Sequence, residues 1–329
     1  MSEQAAFFLL IIILLAFTFD FINGFHDTAN AVATSIATGA LSPQLAIILA
    51  ATMNFLGALA FTGVAQTIAG NILQPLSAEN GLKIILAALI SASIWNLVTW
   101  YFGLPSSSSH ALFGSLAGAA YAAGRSQDID YAGLQNALEA LVVSPLLAFL
   151  AGFCVMTFFN LLFYFQIFSY PDHRFLFLQR IAATLQAFSH GSNDAQKTMG
   201  VITLALITAG YQDSPQVPLW VKSAAAVMIA LGTATGGWRI IKTVATGLTR
   251  LGPASGFAAD LSSALTIFSA TILHLPVSTT HVISSAIIGV GATGGKSAVK
   301  WATAIRMLVA WAFTLPLVTF MGVVIYLLL

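Results

Sequence analysis

Asp27 stands in Phe21-Ile-Asn-Gly-Phe-His-Asp-Thr-Ala-Asn30, and Asp194 in Ser189-His-Gly-Ser-Asn-Asp-Ala-Gln-Lys197; both motifs lie in strongly apolar surroundings. An ionisable side chain at membrane depth is costly, and its retention marks the handling of an ion or a proton. In register, the motifs put Gly24 on Gly191, Asp27 on Asp194 and Asn30 on Lys197, a shift of 167 positions. A second pair, Leu104-Pro-Ser-Ser-Ser-Ser-His110 and Leu275-Pro-Val-Ser-Thr-Thr-His281, sets Pro105 on Pro276 and His110 on His281, a shift of 171. Two independent motifs in the same order at nearly the same shift make the chain two homologous halves.

The Pro-Ser/Thr motifs have the chemistry of helix starts. Proline ends the preceding helix, and the hydroxyls cap the next. Free backbone N–H groups, the positive end of a helix dipole and several hydroxyls then face one point, which makes an anion site. Two such starts, with Ser107, Ser108 and Ser109 on one and Ser278, Thr279 and Thr280 on the other, would surround a tetrahedral oxyanion.

Asp27 and Asp194 would repel that anion unless a cation or proton lies between. A carboxylate accepts a hydrogen bond from protonated phosphate, whereas sulfate at neutral pH has no proton to give, so the pair favours phosphate. Asp27 with Asn30, and Asp194 with Asn193, also offer hard oxygen ligands for Na⁺ or Mg²⁺. Lys197 takes the place of Asn30, where an ammonium would substitute for a bound cation; the competing expectation is a lysine snorkelling to the interface. Asp20 and Asp260 are the remaining intramembrane acids. His26 and His190 flank the aspartates at different offsets, while His110 and His281 are equivalent. Imidazole suits proton relay near neutral pH, and it suits hydrogen-bonded helix packing equally.

The elements that must position these residues follow from composition. The 329 residues are 58% hydrophobic and 7% charged, against about 25% charged in soluble domains, so the chain is an integral membrane protein. Met1 to Phe19 has neither a basic leader nor a small-residue cleavage site and reads as the first retained span. A net charge of +1 and the lack of a basic run give no case for nucleic acid. Cys154, the single cysteine, excludes a disulfide framework and reads as a small core residue.

Apolar segments at 5–22, 42–63, 81–103, 137–165, 218–236, 255–274 and 302–328 approach the length of about 20 residues that crosses the hydrocarbon; 175–190 is a less apolar eighth. Four shorter pieces opening on polar motifs, 27–40, 107–124, 194–210 and 279–293, are expected to be half-helices converging on one site, since interrupted backbone at membrane depth must be buried in protein or line a wet cavity. Polar connections fall near 74–83, 125–136, 166–174, 211–217 and 294–300. Residues 237–252, with Arg239, Lys242 and Arg250 and no acid, are expected to form a cytoplasmic loop. The division is 1–165 for the first repeat, 166–174 for a short linker and 175–329 for the second repeat. Paired halves with interrupted helices are the pattern of secondary transporters; whether these run parallel or inverted depends on an odd or even number of crossings per half, which the spans leave open.

At these residues the chain resembles the inorganic phosphate transporter (PiT) family. Gly24-Phe-His-Asp-Thr-Ala-Asn-Ala31 and Gly191-Ser-Asn-Asp194 resemble its duplicated G-x-N-D-x-x-N-A signature, and Leu-Pro-x-Ser-[Ser/Thr]-[Ser/Thr]-His resembles its second repeated motif. The resemblance implies an all-α, inverted-repeat symporter of about 10–12 membrane segments with re-entrant half-helices. It would be a homodimer in the lipid bilayer that takes up inorganic phosphate with a cation. It further implies that Asp27, Asn30, Asn193 and Asp194 serve as cation or proton sites, and that Ser107, Ser108, Ser109, Ser278, Thr279 and Thr280 are phosphate ligands. Two departures, His26 where the signature usually has Asn and Ala195-Gln-Lys197 for the second Asn-containing tail, resemble the bacterial low-affinity branch. That favours H⁺ with a metal-phosphate complex over Na⁺, no resident cofactor, and a multi-pass place in the bacterial inner membrane. The hydrophilic insert that many members carry between the halves is absent.

A sulfate permease of the same superfamily is the alternative, with an anion channel behind it. An intramembrane protease would need Gly-x-Gly-Asp or Gly-x-Ser-x-Gly in an apolar helix, and neither occurs.

Overall fold

A computed structural model describes residues 3–72, 78–167 and 174–329. Most of the expected linker 166–174, His173 included, and the beginning of the connection 74–83 lie outside the described residues. Twelve α-helices are found among the described residues, and the two halves contribute six each in matching order.

The first helix, α1 (Glu3–Ala37), and its counterpart α7 (Arg174–Thr208) have 35 residues each, which gives each a length of about 50 Å. They lie antiparallel. Thr38, just past α1, donates to Gln179 Oε1 near the start of α7 (2.7 Å), and Arg180 Nε donates to Ala40 O (2.7 Å). At the opposite end, Ala6, Leu9 and Leu10 line a crevice with Leu206 and Tyr211.

Each is followed by a broken pair, α2 (Pro43–Ala60) with α3 (Gly63–Asn71) and α8 (Leu219–Thr235) with α9 (Trp238–Gly247). The latter pair bends by 71° at Gly236, whose φ of +70° lies in the region open to glycine. The segment 237–252, expected as a loop, is therefore largely helical: α9 continues the broken span, and Arg239 Nη1 donates to Tyr101 O (2.5 Å).

Two hairpins come next. The chain of α4 (Ala78–Tyr101) turns at Gly103 and Pro105 and returns as α5 (Ser108–Ala122); α10 (Pro253–Ile272) turns at His274 and Pro276 and returns as α11 (Thr279–Ala292). The turns are alike in backbone. Gly103 N–H donates to Trp100 O and Leu104 N–H to Thr99 O, as His274 donates to Thr271 O and Leu275 to Ala270 O. Both turn residues have positive φ, +63° at Gly103 and +59° at His274. Long helices close each half: α6 (Tyr131–Tyr164), with Pro145 inside, and α12 (Trp301–Leu328), with Pro316 inside.

Each half crosses the bundle three times, by its first helix, its broken pair and its last helix, and the hairpin returns to the side it came from. Three is odd, so the second half is inverted relative to the first, as the antiparallel α1 and α7 show directly. Five helices, α1, α2, α4, α6 and α12, are long and apolar enough to cross a membrane on length and composition alone, and the bent α8–α9 pair passes together. The middle of α7 is too polar to do so.

The halves interlock through glycines. A Cβ on Gly24 or Gly232 would strike the backbone where α1 crosses α8, and one on Gly57 or Gly191 would strike it where α7 crosses α2. The same close approach joins α5 to α12 at Gly118 and Gly322, and α11 to α6 at Gly289 and Gly152. Small residues let helices meet backbone to backbone, the mode of association that dispersion favours in lipid. Gly118 closes the stretch Gly114-Ser-Leu-Ala-Gly118 and Gly232 opens Gly232-Thr-Ala-Thr-Gly236, so both stretches serve packing. Cys154 is exposed on the outer face of α6, which corrects the expectation of a core position: in a membrane bundle the apolar face can point outward.

Candidate functional site

The expected half-helices 107–124 and 279–293 are present as α5 and α11. The other two, 27–40 and 194–210, are not separate pieces: Asp27 and Asp194 lie inside the unbroken helices α1 and α7. The physical reason is that their side chains are satisfied by other elements, so no backbone N–H has to be freed to meet them.

The two hairpin tips meet between α1 and α7. Ser107 Oγ caps α5 by accepting from His110 N–H (3.1 Å), and Ser278 Oγ caps α11 by accepting from His281 N–H (3.3 Å). Ser109 Oγ donates to Val277 O on the opposite tip (2.9 Å). These three hydroxyls hold the tips in shape and together.

The remaining three reach the aspartates. Ser108 Oγ donates to Asp27 Oδ2 (2.6 Å), and Thr280 Oγ1 donates to Asp27 Oδ1 (2.9 Å). Thr279 Oγ1 donates to Asp194 Oδ2 (3.1 Å). Ser108 and Thr279 are equivalent under the repeat, so each carboxylate receives the same hydroxyl from its own half. Hydrogen bonds to an ionised acceptor are the strong ones.

Beyond this shared pair the halves differ. Asp27 Oδ1 is 2.7 Å from His26 Nδ1, whose Nε2 is 2.9 Å from Thr99 Oγ1. Asn30 Nδ2 donates to Thr280 Oγ1 (2.9 Å) and to Asp27 O (3.1 Å). Asp194 Oδ1 is paired with Lys197 Nζ at 2.6 Å, and Oδ2 accepts from Asn23 Nδ2 (3.2 Å) and lies 3.4 Å from His190 Nε2. Lys197 Nζ also donates to Ser108 Oγ (3.3 Å). One hydrogen-bonded chain thus runs Asn30–Thr280–Asp27–Ser108–Lys197–Asp194–Thr279. Asp27, Asn30, Asp194 and Lys197 are all buried, which rules out snorkelling for the lysine.

Asn193 braces the second tip: its Nδ2 donates to Leu275 O (3.2 Å) and its Oδ1 accepts from Val277 N–H (3.3 Å). His110 and His281 lie behind the tips, 4.9 Å apart at their ring centroids. His281 stacks on Trp311 at 3.9 Å, and Trp311 Nε1 donates to Pro105 O (2.9 Å); the pair packs the tips against α12. His190 Nδ1 is 3.0 Å from Asn54 Oδ1. Asp20 is buried, and neither of its carboxylate oxygens is in a hydrogen bond among the described residues. Asp260 belongs to a separate cluster, accepting from Thr34 Oγ1 and from Gln179 Nε2 (3.1 Å). Among the described residues no group of three or more His, Cys, Asp or Glu is arranged to hold a metal.

Several site residues escape a reading of the sequence. Asn23 bonds Asp194, and Thr99 joins His26 to Ser106. Asn54 Nδ2 donates to both Thr28 and Thr233 (2.9 Å each) where α1, α2 and α8 cross. Gln196 Oε1 accepts from Ala65 N–H at the start of α3 (3.1 Å), where α2 gives way to α3. The available signal was a lone amide in an apolar run, such as Asn54 in α2.

Inverted halves, two re-entrant hairpins meeting at mid-bundle and a buried polar site at their tips define a multi-pass membrane transporter, not an enzyme. Comparison with known proteins narrows the class. A profile of the Phosphate transporter family matches residues 23–171 and again 166–322. The chain is 51% identical over 321 residues to a "Probable low-affinity inorganic phosphate transporter" of Bacillus subtilis, covering 97% of this chain and 96% of that one. It is 44% identical to the protein of the same description from Rhizobium meliloti, covering 96% and 95%. A solved structure described as "The sodium-dependent phosphate transporter" superposes with a TM-score of 0.88 at 24% identity, covering 98% of each chain, which shows the same fold. The chain belongs to the phosphate transporter family and is a phosphate transporter of the cell membrane.

Proposed function

We propose that this chain takes up inorganic phosphate by symport with a cation, through alternating access of one site at the hairpin tips. The observation that carries the proposal is the pairing of Ser108 and Thr280 with Asp27, and of Thr279 with Asp194, at 2.6–3.1 Å. Phosphate entering between the tips would take these hydroxyls and the free N–H groups of α5 and α11 as donors, while a protonated phosphate oxygen would donate to a carboxylate. Ser107, Ser109, Ser278 and Asn193 would hold the tips in position. Cation binding at Asp27 and Asn30 would offset the charge of the aspartate as the anion arrives.

The favoured coupling ion is H⁺, with His26 and Asp27 as the pair that holds it. His26 is bonded directly to Asp27 and backed by Thr99, a continuous hydrogen-bonded path along which a proton can pass between imidazole and carboxylate. Divalent metal would travel as cargo with the phosphate, meeting Asp27, Asn30 and Asp194. The relatives described as low-affinity transporters support this branch, whereas the sodium-dependent fold relative is the reason to test Na⁺. The exposed apolar faces of α6 and α12, with Leu146, Leu150, Leu308 and Phe320, would meet lipid or a second copy of the chain.

The test is uptake of radiolabelled phosphate by proteoliposomes, with and without excess sulfate. Saturable uptake that sulfate barely reduces is expected; equal competition by sulfate would overturn the substrate assignment.

A further inference from the structure

We infer that Lys197 is a built-in cation that takes the place of one co-transported ion, so that the coupling ion is held on the Asp27 side of the site. The inference rests on the transport reading above and deepens it. Repeat symmetry places Lys197 where Asn30 stands in the first half. Asn30 contributes a neutral amide, bonded to Thr280 Oγ1 at 2.9 Å and to a backbone carbonyl. Lys197 contributes a full charge at 2.6 Å from Asp194 Oδ1.

Three features argue against a bland structural lysine. Lys197 is among the largest fully buried side chains in the protein, and a buried ammonium needs compensation that an apolar residue would not require. Its second hydrogen bond goes to Ser108 Oγ at 3.3 Å, and that hydroxyl donates to Asp27 at 2.6 Å; the ammonium therefore lies between the two carboxylates, beside a hairpin tip. Finally, Asp194 keeps its other oxygen for Thr279, Asn23 and His190, so the ammonium meets the oxygen that a bound cation would use. An anion approaching the tips encounters Asp194 already neutralised. Asp27, bonded directly to His26 and reached by the ammonium only through the Ser108 hydroxyl, must recruit its cation for each cycle.

The experiment compares wild type, K197N and K197R in proteoliposomes, with Na⁺ replaced by choline at fixed pH and ionic strength. Wild type should take up phosphate equally in the two salts. K197N should become Na⁺-dependent by at least about tenfold, the change that about 1.4 kcal/mol of cation binding produces. It should also bind radiolabelled Na⁺ in a manner strengthened by phosphate, because coupling between two ligands is reciprocal. K197R, which keeps the charge, should show no Na⁺ dependence.

A Na⁺ requirement in wild type as large as tenfold would overturn the inference, and this arm decides even if K197N fails to fold. Equal K197N uptake in both salts, or K197N without phosphate-linked Na⁺ binding, would overturn it as well. These outcomes leave the transport reading standing as long as wild type accumulates phosphate; a wild type that takes up none in any salt would overturn both.

Discussion

Replacing Asp194 by asparagine isolates the charge of the carboxylate from its shape. The Asp194 side chain is buried and so is Lys197, 2.6 Å away. Asparagine keeps an acceptor for Thr279 or Asn23 and leaves no cavity, but it strands the ammonium with Ser108 as its remaining partner at 3.3 Å. Removing one member of a buried ion pair costs about 3–5 kcal/mol, mostly through the charge left behind. D194N should therefore be destabilised by about that amount. The double variant D194N/K197M removes the stranded charge and keeps an unbranched side chain of similar length, so it should recover most of the loss. A double-mutant cycle on D194N, K197M and the pair, followed by reversible unfolding in detergent, should give a coupling of at least about 2 kcal/mol. Neither variant containing D194N should take up phosphate, so stability and transport part company in the double variant. A coupling near zero, or D194N with wild-type stability and uptake, would refute the placing of Lys197 and the role of its partner.

Further outcomes follow from other parts of the site and scaffold. Asp27→Asn should abolish coupled uptake while the protein still inserts in the membrane, as checked by yield and monodispersity in detergent; wild-type uptake would remove Asp27 from the mechanism. Gly232→Ala and Gly191→Ala should each destabilise by about 1–3 kcal/mol in thermal unfolding, because the added Cβ meets the Phe21 and Asn54 backbones; a neutral result would contradict the close crossing of α1 with α8 and of α2 with α7. Cys154→Ala should change stability by no more than about 0.5 kcal/mol in thermal unfolding and leave uptake unaltered; a loss of several kcal/mol, as from a cavity in a packed interior, would put Cys154 back in the core.

Much of this arrangement was legible in the residues. Pro105 and Pro276 with their Ser/Thr runs announced the two hairpin tips because proline and hydroxyl caps act locally, through the backbone of their own turn. The doubled Gly-Asp motifs announced the two halves. Two errors have a common cause: 27–40 and 194–210 are expected as separate half-helices because each opens on a polar motif, and a polar opening is a local sign of a helix start. Here the glycines make room for α8 and α2, and the aspartates are satisfied across space by Ser108, Thr280 and Thr279. Such compensation depends on residues some 80 to 250 positions away, which no local pattern carries. The helix α9 was missed for a related reason: Arg239, Lys242 and Arg250 looked like a solvated loop, yet Arg239 is tied to Tyr101 and lies over the Trp100 ring at 5.2 Å. The inverted sense of the halves needed a count of crossings, and that count turned on whether 107–124 and 279–293 traverse the bundle or turn back.

The most direct test of the account is phosphate uptake by purified protein in liposomes under an imposed inward pH gradient, and separately under an inward Na⁺ gradient, each with and without Mg²⁺. Accumulation driven by the proton gradient, raised by Mg²⁺ and indifferent to Na⁺, is the predicted result; accumulation that only the Na⁺ gradient drives would contradict both the assignment of His26 and Asp27 as the coupling pair and that of Lys197 as an internal cation.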